Sequence, residues 1–345
     1  MLFLSQLTAI HSKNFLPLLK RLIVSTPKPI LQIPSLTDIE ISHKLIQPFI
    51  HQTPVFTNNY LNELVEAELF FKCENFQKVG AFKMRGASNA VNRLELSDLK
   101  SGVATHSSGN HAAALALAAK QKGIPAFIVM PSTAPPIKKN AVKSYGGTII
   151  ECAPTLEARE STLHEVVKNT GATFIHPFDN YSVIAGQSTA ALELLRQTPQ
   201  LDYIFAPVGG GGLLSGTALI TSYISPSTLV MGAEPLGAND AFISFNNGIL
   251  TPVSNPNTIA DGLLTSLSEK TFSIIRSKVH NILLADETTI LEALKLIWER
   301  MKIIIEPSSA LPLATILLNK SIVKNKKVGI ILSGGNADFN ALKFN

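Results

Sequence analysis

The stretch YIFAPV at 203–208, followed without a break by GGGGLLSG at 209–216, decides the fold class. A short run of β-branched, aromatic and small apolar residues reads as a strand buried on both faces. The glycines make a tight turn, and the apolar stretch beyond them reads as a helix start. Strand, turn and helix in that order are half of a parallel β-α-β unit. Outward from here the same alternation recurs. ELFFKCE (68–74) precedes a helix over 84–96, and GVATHS (102–107) precedes one that begins near Asn110. AFIVM (126–130), TIIECA (148–153) and TFIHP (173–177) lead into helices over 138–145, 156–169 and 184–196, and VGIILSGG (328–335) closes the pattern. The expected class is α/β, with mostly parallel sheets and helices on both faces.

With 345 residues, 46% of them hydrophobic and 16% charged, the chain can bury a sizeable core and is no disordered tail. A net charge of +5 would suit a polyanion-binding surface, but its distribution does not. Lys13, Lys20, Arg21 and Lys28 all precede the first acidic residue, Asp38, and removing those four charges from +5 leaves +1 for the rest. No nucleic-acid partner is expected. The two cysteines, Cys73 and Cys152, exclude a disulfide scaffold and a four-cysteine zinc site. No apolar run approaches the roughly 18 residues of a membrane span, so no membrane partner is expected. Residues 1–35 are basic and free of acids. They read either as an extension, linked to the body through Pro27, Pro29 and Pro34, or as a mitochondrial-type targeting segment; a cytoplasmic location is otherwise expected.

In parallel sheets the chemistry belongs to the turns beyond the carboxyl ends of the strands. Gly209, Gly210, Gly211 and Gly212 let backbone N–H groups converge on an anion at a helix start, which makes a phosphate cradle; the alternative is a tight turn. Ser215 breaks the G-x-G-x-x-G spacing, and no Lys-Ser or Lys-Thr follows, so neither a dinucleotide fingerprint nor a Walker loop is present. Ser107, Ser108, Asn110 and His111 fill a second turn, either as helix caps or as a cluster able to hold a carboxylate. Ser333, Gly334, Gly335 and Asn336 fill a third. Lys83, framed by Val79, Ala81, Phe82 and Met84, is either a snorkelling side chain or a desolvated amine usable as nucleophile and base.

The segments ENFQKVGAFKMRGA (74–87), HSSGNHAAALALAAK (106–120), PVGGGGLLSG (207–216), AEPLGAND (233–240), TIADG (258–262), ERMKIIIEPSSA (299–310) and VGIILSGGN (328–336) resemble, in kind and in order, the serine racemase and serine/threonine dehydratase family. That resemblance runs from about Leu36 to the C-terminus. It implies a pyridoxal-phosphate enzyme of fold type II with two three-layer α/β/α domains. The large one would take 36–98 and 181–345, and the small one 99–180. Lys83 would form the internal Schiff base with Phe82 against the ring, and Asn110 would bind the phenolic oxygen. Gly209, Gly210, Gly211, Gly212 and Leu213 would cradle the phosphate, and Ser333 would partner the pyridine nitrogen. A neutral hydroxyl there drains less electron density into the ring, which favours elimination over transamination. Ser107, Ser108, Asn110 and His111 would bind the substrate carboxylate.

The reaction so implied is an ammonia-lyase reaction on L-serine or L-threonine, giving a 2-oxo acid and ammonia. The alternative is a serine racemase, with Ser108 as the acid on the face of the cofactor opposite Lys83. A divalent ion, Mg²⁺ or else Ca²⁺ or Mn²⁺, would sit on Glu234, Asp240 and the carbonyl of Ala238. A homodimer and a small amino-acid substrate complete the expected partners. Ala81, Ala113, Phe178-Asp179 and Ser188 depart from animal-type racemases and weaken that alternative. Arg159 aligns with a position that can contact a second carboxylate, which brings 3-hydroxyaspartate into range; the other reading is a helical arginine paired with Glu157 or Glu160. With no module after Asn345, isoleucine feedback is not expected.

Overall fold

A computed structural model describes residues 27–252 and 254–338. Among the described residues ten strands are present: β1 (Val55–Phe56), β2 (Glu68–Cys73), β3 (Val103–His106), β4 (Ala126–Pro131), β5 (Thr148–Cys152), β6 (Thr173–Phe174), β7 (Tyr203–Pro207), β8 (Leu229–Pro235), β9 (Asn281–Ala285) and β10 (Lys327–Leu332). They form a six-stranded sheet in the order β1-β2-β10-β7-β8-β9 and a four-stranded sheet in the order β5-β4-β3-β6. Every pairing is parallel except β1 with β2. The α/β class read from the alternation is the fold observed.

The strand period of two sorts each strand between two cores. In β10, Val328, Ile330 and Leu332 join Phe71, Phe205 and Leu313 on one face of the large sheet. Ile331 joins Ile204, Leu192 and Leu214 on the other. The small sheet divides likewise, with Val103 and Ile128 facing the helix Asn110–Lys122 and Ala104 and Val129 facing Leu163. Helices therefore cover both faces of both sheets.

Several boundaries differ from those expected. The helix after β2 starts on Lys83 and ends at Asn92, short of 96. TFIHP contributes only two residues of strand, because His176 folds back onto the backbone that follows it. The targeting-or-extension question falls mostly on residues 1–26, which lie outside the described residues. Those at 27–35 are no free linker. Ile30 N–H donates to Ser182 Oγ at 2.9 Å, Arg93 donates to the Lys28 carbonyl at 2.9 Å, and Tyr223 donates to the Pro34 carbonyl at 2.9 Å. Among the described residues, no helix is long and apolar enough to cross a membrane.

Candidate active site

Strands β10 and β7 are neighbours, so the turns at their carboxyl ends lie side by side. Phe82 N–H donates to the Ser333 carbonyl at 3.0 Å, and Ala81 bridges Gly334. These contacts pin the start of the helix Lys83–Asn92 beside the end of β10. The turn ahead of it is sharp: Val79 has φ 57° and Gly80 φ 69°, the former a costly conformation for a β-branched residue. Lys83 Nζ donates to the Pro177 carbonyl at 3.2 Å and lies 5.1 Å from the Phe82 ring centre. Burial lowers its pKa to about 8, with Glu306 pulling the other way. An amine so poised spends an appreciable fraction of time unprotonated near neutrality, which a snorkelling lysine does not.

The glycine turn packs against Phe178, the residue after Pro177. Gly211 has φ 83°, and the helix Gly212–Ile224 that follows has no side-chain cap. A Cβ on Gly209, Gly210 or Gly211 would come within 3.0 Å of a neighbouring atom; at Gly210 the neighbour is the Phe178 ring. Backbone N–H groups at an uncapped helix start, with no side chains above them, fit a phosphate.

Neither serine of the second turn caps the helix Asn110–Lys122; its N-cap is Gly109, without a side-chain bond. The capping alternative therefore falls away, and the first-turn N–H groups are left to bind an anion. Asn110 Nδ2 lies 3.1 Å from each carboxylate oxygen of Glu306, while its Oδ1 accepts from Asn336 at 2.8 Å. Asn336 also donates to the Val79 carbonyl at 2.8 Å. This network fixes the amide so that Asn110 offers a donor to the site. The Ser333 hydroxyl stands 3.0 Å from that of Ser309, whose own hydrogen goes to the Gly334 carbonyl at 2.7 Å. Ser333 is thus the donor of that pair and can turn toward a ring nitrogen.

His111 is buried, and its Nε2 lies 3.1 Å from the Ile175 carbonyl. Burial, then the Lys83 charge, pushes its pKa down to about 3, so it stays neutral. The His111 imidazole is therefore a neutral group packed against the Ile175 carbonyl. His176 Nδ1 accepts from Asp179 N–H at 2.8 Å and Phe178 N–H at 3.3 Å, which leaves its proton on Nε2; burial first lowers its pKa to about 4. Arg159 lies close enough to His106 and Cys152 to bias both titrations. Its Nε is buried without a hydrogen-bond partner, and among the described residues it forms no ion pair with Glu157 or Glu160.

Glu234, on β8, accepts from the N–H groups of Ala241 at 2.9 Å and Phe242 at 2.8 Å. Asp240 accepts from Leu267 N–H at 3.2 Å. Both carboxyls are buried, and no basic side chain is ion-paired to either among the described residues. Burial raises Glu234 to about 9, with Asp240 adding to it, and burial raises Asp240 to about 6. Two adjacent buried carboxyls without a countercharge, beside the turn Leu236–Ala238, suit a hard cation. No cluster of three or more His, Cys, Asp or Glu side chains is placed to hold a metal among the described residues, so the remaining ligands would be carbonyls and water.

Glu306, which the sequence alone allows either as a strand-end carboxylate or as a group near the cofactor face, stands at the N-cap of the helix Pro307–Leu318, against Asn110 and Gly334. Pro177 and Ser309 carry no signal in the sequence, whereas Asn336 belongs to the third turn already singled out there.

A buried lysine pinned beside the end of β10, with an uncapped glycine turn at the end of the neighbouring β7, has the layout of a cofactor-dependent enzyme of the fold type II kind. The chain belongs to the family described as "Pyridoxal-phosphate dependent enzyme", whose profile matches residues 46–334. It is 49% identical over 315 residues to the beta-hydroxyaspartate dehydratase of Paracoccus denitrificans, covering 91% of this chain and 100% of that one. It is 45% identical to the L-threo-3-hydroxyaspartate ammonia-lyase of Saccharomyces cerevisiae, over 89% of this chain and 94% of the relative. The crystal structure of serine racemase from Dictyostelium discoideum superimposes with a TM-score of 0.85 at 51% identity, over 88% of this chain and 99% of that one.

Proposed function

We propose that the protein is a pyridoxal-phosphate-dependent ammonia-lyase that converts small 2-amino-3-hydroxy acids, L-serine, L-threonine or 3-hydroxyaspartate, into a 2-oxo acid and ammonia. The observation that carries this reading is Lys83, a buried amine with a pKa near 8 whose Nζ donates to the Pro177 carbonyl, one residue before the Phe178 that packs on the glycine turn. When bound, pyridoxal phosphate supplies an aldehyde that links to amino groups and a ring that takes up charge from Cα. The N–H groups of Gly209, Gly210, Gly211, Gly212 and Leu213 would hold its phosphate, Asn110 Nδ2 its phenolic oxygen and Ser333 its ring nitrogen. Phe82 would pack against the ring. The Ser107–Ser108 turn and the first N–H groups of the helix Asn110–Lys122 would hold the substrate carboxylate. Lys83 Nζ, as the free amine, takes the proton from the substrate Cα, help worth on the order of 10²–10⁴ in rate. The partnerless Arg159 Nε supports recognition of a second carboxylate, as the names of the Paracoccus and Saccharomyces relatives suggest.

Glu234, Asp240 and the Ala238 carbonyl would hold Mg²⁺ or a similar ion, which neutralises the two buried carboxyls and takes no part in bond breaking. The same reading divides the chain into 36–98 with 181–345, and 99–180; each sheet draws all its strands from one side of that division. It also includes assembly as a homodimer, which light scattering would check.

Serine racemisation is the second reading. Its support is that the Ser108 hydroxyl makes no hydrogen bond among the described residues and so is free to deliver a proton to Cα. The test of both is a panel of L-serine, L-threonine and L-threo-3-hydroxyaspartate, read for 2-oxo acid and for D-isomer. Elimination should dominate, and Ser108→Ala should remove D-isomer formation while sparing 2-oxo acid. No 2-oxo acid from any of the three would overturn the lyase reading.

A further inference from the structure

Two residues beyond Lys83, Arg85 is completely buried in a set of charges that the proposed reaction does not use. Its Nε and Nη2 grip Glu74 at 2.7 and 2.8 Å, and its Nη1 and Nη2 grip Glu193 at 2.8 Å each. Thr189 takes the remaining Nη1 hydrogen at 3.1 Å, so every N–H of the guanidinium is committed. Lys72 is saturated in the same way, by Glu193 at 2.7 Å, the Thr53 carbonyl at 2.8 Å and Gln197 at 2.8 Å. Two cations and two carboxylates cancel, so the set is neutral as a whole and sealed from water.

Buried ion pairs are poor stabilisers, since desolvation offsets most of their attraction, but pulling the partners apart leaves an uncompensated buried charge and is costly. Their location shows which geometry is held. Along the helix Lys83–Asn92, Arg85 lies about 200° round from Lys83, on the back of the same turn. That turn has no side-chain cap at Phe82 to fix it. Behind it runs the helix Tyr181–Gln197, which carries Thr189 and Glu193. The two helices cross almost backbone to backbone: a Cβ on Gly186 would lie 2.6 Å from the Arg85 carbonyl oxygen. The second helix begins four residues after Pro177, whose carbonyl receives the Lys83 amine. Lys83 thus stands on one of the two helices that Arg85 clamps together, and Pro177 in the short segment that leads into the other.

We infer that Arg85, through its double fork to Glu74 and Glu193, is a positioning residue that sets where the Lys83 amine stands in the active site. The inference rests on Lys83 being the cofactor-bearing lysine. Its chemistry needs planar two-sided recognition, which a lysine cannot supply though it keeps the charge.

The test compares Arg85→Lys, Thr189→Val and the core truncation Leu61→Ala with the wild type, all loaded with pyridoxal phosphate. Melting temperature, kcat, KM and the pH titration of the cofactor absorbance band are measured for each. Arg85→Lys should lower kcat per folded molecule about tenfold or more, in line with the cost of small misplacements, with KM within about twofold. It should also move the midpoint of the band's titration. Thr189→Val should do the same to a smaller degree, and it decides the matter if Arg85→Lys does not fold. Leu61→Ala should lower the melting temperature and move neither kcat nor the band. If the folded Arg85 and Thr189 variants match the wild type in kcat and titration, the network is structural only and the inference fails. A wild type without a borohydride-sensitive band would instead overturn the reading of Lys83 itself.

Discussion

Asn110 Nδ2 stands 3.1 Å from both carboxylate oxygens of Glu306, which makes a residue from the small sheet's turn share its donor with one from the large sheet's side. The carboxyl is enclosed beneath Gly334, and burial pushes its pKa up to about 7, with the Asn110 amide pulling the other way.

A stability difference should follow in the cofactor-free protein. Because the folded pKa of Glu306 lies above the 4.5 of an ordinary glutamate, the folded state keeps a proton that the unfolded state gives up. The stabilisation from this group is complete below the unfolded pKa and is lost as pH rises through about 7. Glu306→Gln, neutral throughout, has nothing to lose. Its melting temperature relative to wild type should therefore climb between about pH 5 and pH 8, and a constant difference would contradict the assignment.

Gly210 is a second point of leverage, since a Cβ there would lie 2.3 Å from the Phe178 ring. Gly210→Ala should cost roughly 1–3 kcal/mol in overpacking and weaken pyridoxal phosphate binding about tenfold or more. Adding Phe178→Ala should recover most of the melting temperature. Failure to do so would show that the ring is not what the glycine accommodates.

Glu234 and Asp240 are buried acids without a countercharge among the described residues. Adding Mg²⁺ or Ca²⁺ to chelator-treated protein should raise the melting temperature, since a ligand that binds only the folded state stabilises it by mass action. Glu234→Gln should abolish that rise. An equal rise in the variant would place the ion elsewhere.

Arg159 bears on substrate choice. Arg159→Gln should lower kcat/KM for 3-hydroxyaspartate about tenfold or more, as loss of a charge-assisted hydrogen bond worth roughly 1.5–3 kcal/mol requires. L-Serine, with no second carboxylate, should change little. Parallel losses on both substrates would return Arg159 to a structural role.

The βα turns were readable in the sequence because glycine, serine and asparagine after a β-branched run have few other uses. Lys83 stood out for a similar reason, as a lysine framed by Val79, Ala81, Phe82 and Met84. What stayed hidden depends on partners distant in sequence. Nothing near Glu306 announces that Asn110 and Gly334 enclose it, and nothing near Pro177 marks its carbonyl as the Lys83 acceptor. The strands β8 and β9 are not among those read from the sequence, and their parallel pairing with β7 and with each other is what defines them. His111 looked like a ligand in the sequence; its burial against Ile175 turns its side chain into a neutral packing group.

The claim on which the rest depends is that Lys83 carries the cofactor. Protein loaded with pyridoxal phosphate, reduced with borohydride and digested should yield a single pyridoxyl-modified peptide, with the mass addition on Lys83. Lys83→Ala should show neither the modified peptide nor any release of 2-oxo acid. Modification at another lysine, or turnover by Lys83→Ala at the wild-type rate, would contradict the account.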